Sequence, residues 1–153
     1  MPGPVLIRPI RQDDFQSWKS LWDGYNAFYG RVGETSLPQE ITATTWQRFF
    51  DRDEPVFALV ADSESRLLGL VHYLFHRSTT RIEPTCYLQD LFTVENERGR
   101  GIGRSLIEAV YQAAAAKGIK RVYWQTHETN AMGRLLYEKV GTHAGFIVYG
   151  HDM

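Results

Sequence analysis

Arg98-Gly99-Arg100-Gly101-Ile102-Gly103 stands between two segments of different period. On its N-terminal side, Cys86-Tyr87-Leu88-Gln89-Asp90-Leu91-Phe92-Thr93 is rich in apolar and aromatic residues and reads as a strand. On its C-terminal side, Arg104 to Lys117 carries Leu106, Ile107, Val110 and the run Ala113 to Ala116 before Gly118 stops it, which predicts a helix. Glycines at a strand-to-helix turn let the backbone come close to a ligand and turn its N–H groups inward. A helix beginning near Gly103 adds unsatisfied donors and the positive end of its dipole, which suits a phosphate. Arg98, Arg100 and Arg104 add charge around that point. The competing reading is a tight turn that needs positive φ, with solvated arginines. Alternate glycines interleaved with arginines at such a junction favour the phosphate.

Downstream, Arg121-Val122-Tyr123-Trp124-Gln125-Thr126 reads as a strand, Ala131 to Val140 as a helix and Phe146-Ile147-Val148-Tyr149 as a last strand. A strand, a helix and a second strand in close succession form a right-handed βαβ unit with parallel strands. Upstream, Val5-Leu6-Ile7-Arg8-Pro9-Ile10 is an edge strand, because Pro9 cannot donate to a ladder. Asp13 or Asp14 can cap a helix carrying Phe15, Trp18, Leu21, Trp22 and Tyr25 at helical spacing. Gly24, Gly30 and Gly33 loosen the chain beyond it, and Ile41 to Phe50 suggests a second helix. Val56 to Ala61 and Leu67 to Phe75 flank Asp62-Ser63-Glu64-Ser65, which is turn chemistry, and predict an antiparallel hairpin. The element order is βααβββαβαβ: an α/β fold on a mixed sheet, antiparallel early and parallel late.

The chain has 153 residues, 43% apolar and 23% charged, with a formal net charge of -1. That length predicts one domain over residues 1–153, large enough for an ordinary core. Near-zero charge argues against a nucleic-acid partner. No apolar run is long enough for a membrane span, and the start Met1-Pro2-Gly3-Pro4 lacks a signal-peptide profile. A single cysteine, Cys86, excludes an internal disulfide and fits a cytoplasmic protein.

The phosphate ligand can be narrowed. The Gly-Lys-Ser/Thr ending of a P-loop is absent. A dinucleotide fold wants its glycines after the first strand and an acidic residue about 20 positions later. Here they follow the fourth strand, and Trp124 stands where that acid belongs. Coenzyme A, with its pyrophosphate and pantetheine arm, is the candidate left.

Arg98-Gly99-Arg100-Gly101-Ile102-Gly103 resembles the Q/R-x-x-G-x-G/A signature of the GNAT (GCN5-related) N-acetyltransferases, and the likeness of element order covers nearly the whole chain. Tyr123-Trp124-Gln125-Thr126, Asn130, Leu136-Tyr137-Glu138-Lys139-Val140-Gly141 and Phe146 to Tyr149 resemble its polyamine/thialysine and fungal histone-type branch. The resemblance implies transfer of the acetyl group of acetyl-CoA to a primary amine of a small molecule, a polyamine or lysine-like amino acid. It implies that backbone groups of Leu91, Phe92 and Thr93 hold the acetyl carbonyl and pantetheine amides, and that residues Arg98, Gly99, Arg100, Gly101, Ile102, Gly103 and Arg104 hold the pyrophosphate. The fourth and fifth strands would splay so that the arm lies between them. Asn130 matches a cofactor contact, and it can equally cap the helix starting at Ala131. Tyr137 matches the general acid: a phenol can protonate or hydrogen-bond a departing thiolate. Its alternative is a helical tyrosine with a buried ring.

An alkyl ammonium at neutral pH must lose a proton at a cost of roughly 4–5 kcal/mol before it attacks. The branch commonly carries a glutamate where this chain has Gln89, which cannot be a base. Asp90, acting directly or through water, is then the candidate, although on a regular strand it faces away from Gln89. Its alternative is a structural carboxylate bonded to backbone. Tyr25 and Asn26, at the end of the first helix, together with Gln89 and His127, are candidates for contacting the acceptor amine. Tyr25 and Tyr29 can instead simply pack together at i, i+4 spacing.

Cys86 reads as core, and His72 and His76 lack partners for a metal site, so no metal is expected. Without an activated nucleophile, direct attack in a ternary complex is expected. The alternatives are a protein or histone-type lysine acetyltransferase and a non-catalytic CoA-binding sensory module. The last strand offers an edge through which two copies can pair as a homodimer.

Overall fold

The computed structural model describes residues 3–64 and 66–153. Met1 and Pro2, in the expected start, and Ser65, in the expected turn, lie outside the described residues. The elements are β1 (Leu6–Pro9), α1 (Phe15–Phe28), α2 (Gln39–Arg48), β2 (Val56–Ser63), β3 (Arg66–His76), β4 (Thr85–Thr93), α3 (Ile102–Ala116), β5 (Val122–Tyr123) and α4 (Ala131–Val140). They build the expected α/β architecture. One sheet runs β1-β2-β3-β4-β5, antiparallel through β4 and parallel between β4 and β5.

Both faces of the sheet are covered, as the near-continuous apolar runs of β2 and β3 require. On one face α3 lays Ile102, Leu106, Ile107, Val110 and Ala114 against Leu59, Leu68, Val71, Cys86 and Leu88. On the other, the Trp18, Leu21, Trp22 and Tyr25 stripe of α1 packs on Ala58, Val60, Leu67 and Leu70. Trp18 is fully buried and stacks on Trp22, their ring centroids 5.9 Å apart.

Four local expectations change. Gly24 does not loosen the chain: it lies inside α1, where a Cβ would stand 2.9 Å from the Phe92 ring. Asp14 makes no side-chain cap on α1 itself; its carboxylate takes two Arg8 hydrogen bonds of 2.8 and 2.9 Å and reaches back to the Arg11 N–H at 2.7 Å, closing a capping box on the turn before α1. β5 is shorter than residues 121–126, because only Cys86↔Val122 and Tyr87↔Tyr123 pair before the parallel strands part. Finally, no strand forms at Phe146–Tyr149. Gly141 continues in an extended conformation, and residues 142–153 form an exposed arm that belongs to no ladder. A two-residue β5 is a poor template for a returning strand.

Candidate active site

The parting of β4 and β5 opens a cleft. It is lined by Leu88, Gln89 and Leu91 from β4, Trp124 and Gln125 just past β5, Tyr137 from α4, Tyr25 from α1 and Tyr29 just past the end of α1. Beside it, Phe28, Tyr29, His127, Thr129, Asn130 and Met132 line a wider, mostly apolar opening. The early end of the β4–β5 ladder leaves the β4 edge beyond Tyr87 without a parallel neighbour, so its backbone can pair with a ligand. This is the expected splay.

At the far end of β4 the chain turns through Gly99 (φ +85) and Gly101 (φ +79), and α3 begins at Ile102. Both glycines occupy the left-handed region, so the tight-turn requirement is real. Nothing lies within 4 Å of where a Cβ would stand at either, so the same turn faces open space beside the helix N-terminus. The two readings hold together: the glycines satisfy the turn and leave its N–H groups approachable.

The arginines are engaged. Arg98 donates to the Thr93 carbonyl at 3.1 Å and lies over the Phe92 ring, which ties the turn to the end of β4. Arg100 pairs with Glu97 and reaches the Gly3 carbonyl at 3.3 Å, while Arg104 pairs with Glu108 at 2.8 Å. Exposed pairs of this kind are worth little and exchange readily.

Tyr137 presents a half-buried ring edge-on to Trp124, with centroids 5.7 Å apart. Burial raises its pKa, and the neighbouring Tyr29 adds to the effect. Tyr137 therefore has a packed ring and stands on the cleft wall. Asn130 does cap α4: its Oδ1 accepts the Gly133 N–H at 3.2 Å, and its Nδ2 donates to Thr126 Oγ1 at 2.9 Å. His127 lines the wider opening, its Nδ1 accepting from the Thr129 hydroxyl and N–H, which leaves the proton on Nε2.

Asn26 does not reach the cleft. It is buried, donating to the Trp22 carbonyl at 2.8 Å and accepting from Arg31 at 2.6 Å. Tyr25 does line the cleft, stacked on Trp22 at 5.3 Å.

Gln89 and Asp90 depart from simple alternation. His72 pairs with Asp90 and Tyr73 with Leu88, so Gln89 is the extra residue of a β-bulge. Cys86 and Leu88 face α3, and the bulge turns Asp90, two positions on, toward α1 instead. Gln89 looks into the cleft while Asp90 is buried behind it. There Asp90 accepts a 2.9 Å hydrogen bond from His72, whose other ring nitrogen accepts from Trp18 at 3.0 Å. Sequence reasoning missed His72 as a site-adjacent residue. Only the β3–β4 register joins the two positions, and no local motif encodes it.

Cys86 is buried and its thiol is pushed up to about 12 by burial, so no thiolate nucleophile is at hand. His76 bonds the Tyr123 hydroxyl and the Arg77 carbonyl, each at 2.8 Å. No helix among the described residues is long and apolar enough to cross a membrane.

Known proteins resemble this chain in sequence and fold. Residues 18–142 match the acetyltransferase (GNAT) family. The D-amino-acid N-acetyltransferase HPA3 of Saccharomyces cerevisiae is 35% identical over 147 residues, which cover 95% of this chain and 89% of that protein. YhfO of Bacillus subtilis, described as an uncharacterised N-acetyltransferase, is 26% identical over 94% of each chain. Among solved structures, the aminoglycoside acetyltransferase AAC(6')-Iy, in complex with a bisubstrate analogue, matches at a TM-score of 0.83 over 99% of each chain and 14% identity, a likeness of fold. A glycine turn before α3, a cleft between parting parallel strands and a family match spanning most of the fold agree, and the chain is a member of the GNAT acetyltransferase family.

Proposed function

We propose that this chain moves the acetyl group of acetyl-CoA to a primary amine of a small molecule by direct attack in a ternary complex. The observation that carries the reading is the cleft where β4 and β5 part, with Tyr137 and Gln89 on its wall and the Gly99–Gly101 turn at the end of β4. The residues present fit coenzyme A. The turn's positive-φ glycines front open space, the first N–H groups of α3 lack helical partners, and the β4 edge is free. Main-chain groups of residues 99–104 would hold the pyrophosphate, with Arg100 and Arg104 released from their surface pairs, and Arg98 from the Thr93 carbonyl, toward it. Leu91, Phe92 and Thr93 would hold the acyl end and pantetheine amides through their backbone, and Asn130 would border the arm. When bound, acetyl-CoA supplies an activated acetyl thioester.

The protein's own groups then have separate tasks. Tyr137, kept protonated by burial, holds a proton for the departing sulfur. Gln89 offers an amide to the acceptor, with no capacity to act as base. Tyr25, Tyr29 and Trp124 line the acceptor end with aromatic faces, which suit a cation before it loses its proton. The protonated, buried Cys86 supports direct attack over an acyl-enzyme.

The acceptor class is a small amine, polyamine or lysine-like. The 35% identical relative named for D-amino acids adds the α-amino group of an amino acid. One cysteine, held as a free buried thiol, suits the cytoplasm. The working unit is a homodimer through the C-terminal arm. Thiol release from acetyl-CoA, measured against polyamines, lysine analogues, D- and L-amino acids and a lysine peptide, tests the reading. Turnover with a small amine is expected. Turnover with the peptide alone would shift it to a protein acetyltransferase, and tight CoA binding without any turnover would make it a sensory module.

A further inference from the structure

Where β4 carries its extra residue, buried side chains from three elements form a chain of hydrogen bonds. Trp18 Nε1 on α1 donates to His72 Nε2 on β3 at 3.0 Å, and His72 Nδ1 meets the Asp90 carboxylate on β4 at 2.9 Å. An indole N–H can only donate, so His72 Nε2 is the bare nitrogen and Nδ1 carries the proton that Asp90 accepts. The histidine ring is enclosed by Trp18, Trp22 and Phe49, with centroids 4.9 to 5.9 Å away. Trp22 is held in turn, its Nε1 donating to Thr42 on α2 at 3.2 Å. Turning the histidine over would leave buried polar groups unpaired, which is costly.

His72 and Asp90 stand opposite each other in the β3–β4 ladder, the next pair is Tyr73 with Leu88, and Gln89 has no opposite residue. A regular ladder continued from Leu88 would pair Gln89 with His72 and Asp90 with Val71. Gln89 would then lie on the α1 face, and the Asp90 carboxylate would press into the apolar layer of Val71, Leu106 and Ile107. The bulge avoids both outcomes. It gives Asp90 the His72 N–H, leaves Gln89 exposed on the cleft wall and sets the facing of Leu91, Phe92 and Thr93 after it.

We propose that the Trp18–His72–Asp90 chain selects this bulge, and that His72 is the positioning residue that sets Gln89 and the backbone of residues 91–93 in the cleft. The inference deepens the acetyl-transfer reading above and rests on it for what those groups hold. Asp90 serves as a structural carboxylate, bonded to a histidine rather than to backbone, and no proton moves along the chain. The device works from behind: none of its three members lines the cleft, and each is held by printed geometry of the ladder or of α1.

A thiol at position 89 reads the bulge without any turnover. Cys86 is buried, so in Gln89→Cys the added thiol is the one a water-soluble maleimide reaches. Fast modification is expected, slowing about tenfold or more when His72→Leu is added, as position 89 turns under α1. His72→Asn keeps an N–H donor at the place of Nδ1 and is expected to restore most of the rate. With Gln89 in place, calorimetry is expected to show CoA bound about tenfold or more weakly by His72→Leu, and largely recovered affinity in His72→Asn. Asp90→Asn keeps an acceptor for the His72 N–H and loses the charge. It is expected to lose far less activity than Asp90→Leu, which loses both. A labelling rate indifferent to His72, or Asp90→Asn as damaging as Asp90→Leu, would overturn the inference with acetyl transfer intact. A natural chain that binds no CoA would sink the acetyl-transfer reading alone, and the labelling would still decide the bulge. If His72→Leu does not fold, nitrogen-15 NMR of the unchanged protein decides. His72 is expected to be protonated on Nδ1 and bare on Nε2, and the opposite tautomer would overturn the chain of bonds.

Discussion

Tyr137 packs its ring on Trp124 and lines the cleft, and the acid role proposed for it rests on its hydroxyl. Removing the hydroxyl separates packing from acid. Tyr137→Phe keeps the ring against Trp124 and is expected to lower kcat by about 10²-fold, at the low end for a lost general acid, with little change in melting temperature. Steady-state kinetics beside a thermal melt check it, and a near-normal rate would leave Tyr137 as packing alone. Gly101→Val acts on the other end of the ligand. A β-branched side chain at φ +79 is strained, and its Cβ enters the open space that the turn faces. Binding of CoA measured by calorimetry is expected to become undetectable, whereas unchanged affinity would remove the turn from the site. Residue chemistry is most legible in this sequence where a residue type has few uses, as with alternating glycines at a strand-to-helix junction. It is least legible where a side chain's partner lies far away in sequence. Asn26 reads as a cleft amide, yet Trp22 and Arg31 claim it; Asp90 reads as a base or as a carboxylate bonded to backbone, and the partner it has is the His72 ring.

At the scale of elements, the contact between α1 and β4 shapes the back of the site. Gly24 lets the Phe92 ring lie against the α1 backbone, one residue before Tyr25, which lines the cleft. Helix propensity alone predicts that Gly24→Ala stabilises by about 1 kcal/mol. A Cβ at 2.9 Å from the Phe92 ring opposes that gain, because overpacking a filled contact typically costs about 1–3 kcal/mol. Net destabilisation of about 1 kcal/mol or more is expected in urea unfolding, with reduced activity as α1 shifts from β4. A stabilised, fully active variant would show the contact to be slack. The helices and long strands were legible because periodicity reports which face is buried, and α4 falls on residues 131–140 as expected. The bulge was not legible. Alternation assumes an unbroken ladder, and one inserted residue at Gln89 reverses every facing after it without altering the composition that marks a strand.

For the whole molecule, the unpaired C-terminal arm is the feature that a lone chain does not explain. Phe146, Ile147, Val148 and Tyr149 are 84%, 73%, 71% and 87% exposed, in a run of strand-forming residues. Each large apolar side chain kept in water forgoes about 1.5–3 kcal/mol of burial. The same chain ends its sheet at β5, whose outer edge pairs with no strand among the described residues. An unpaired arm of strand-forming residues and an unpaired edge on one molecule are complementary. Two copies related by a twofold axis can satisfy both at once, each lending its arm to the other. The expected last strand is legible in composition alone: residues 146–149 join no ladder here, and a sequence carries no sign of which edge such a run will meet. Sedimentation at micromolar concentration is expected to show a dimer. A chain ending at Gly141 is expected to sediment as a monomer while keeping the far-UV signature of the sheet and helices. Phe146→Asp with Val148→Asp, which charges one face of the arm without shortening it, is expected to weaken the dimer at least tenfold. A monomeric full-length chain, or a dimer indifferent to both changes, would assign the arm's apolar run to something other than self-association.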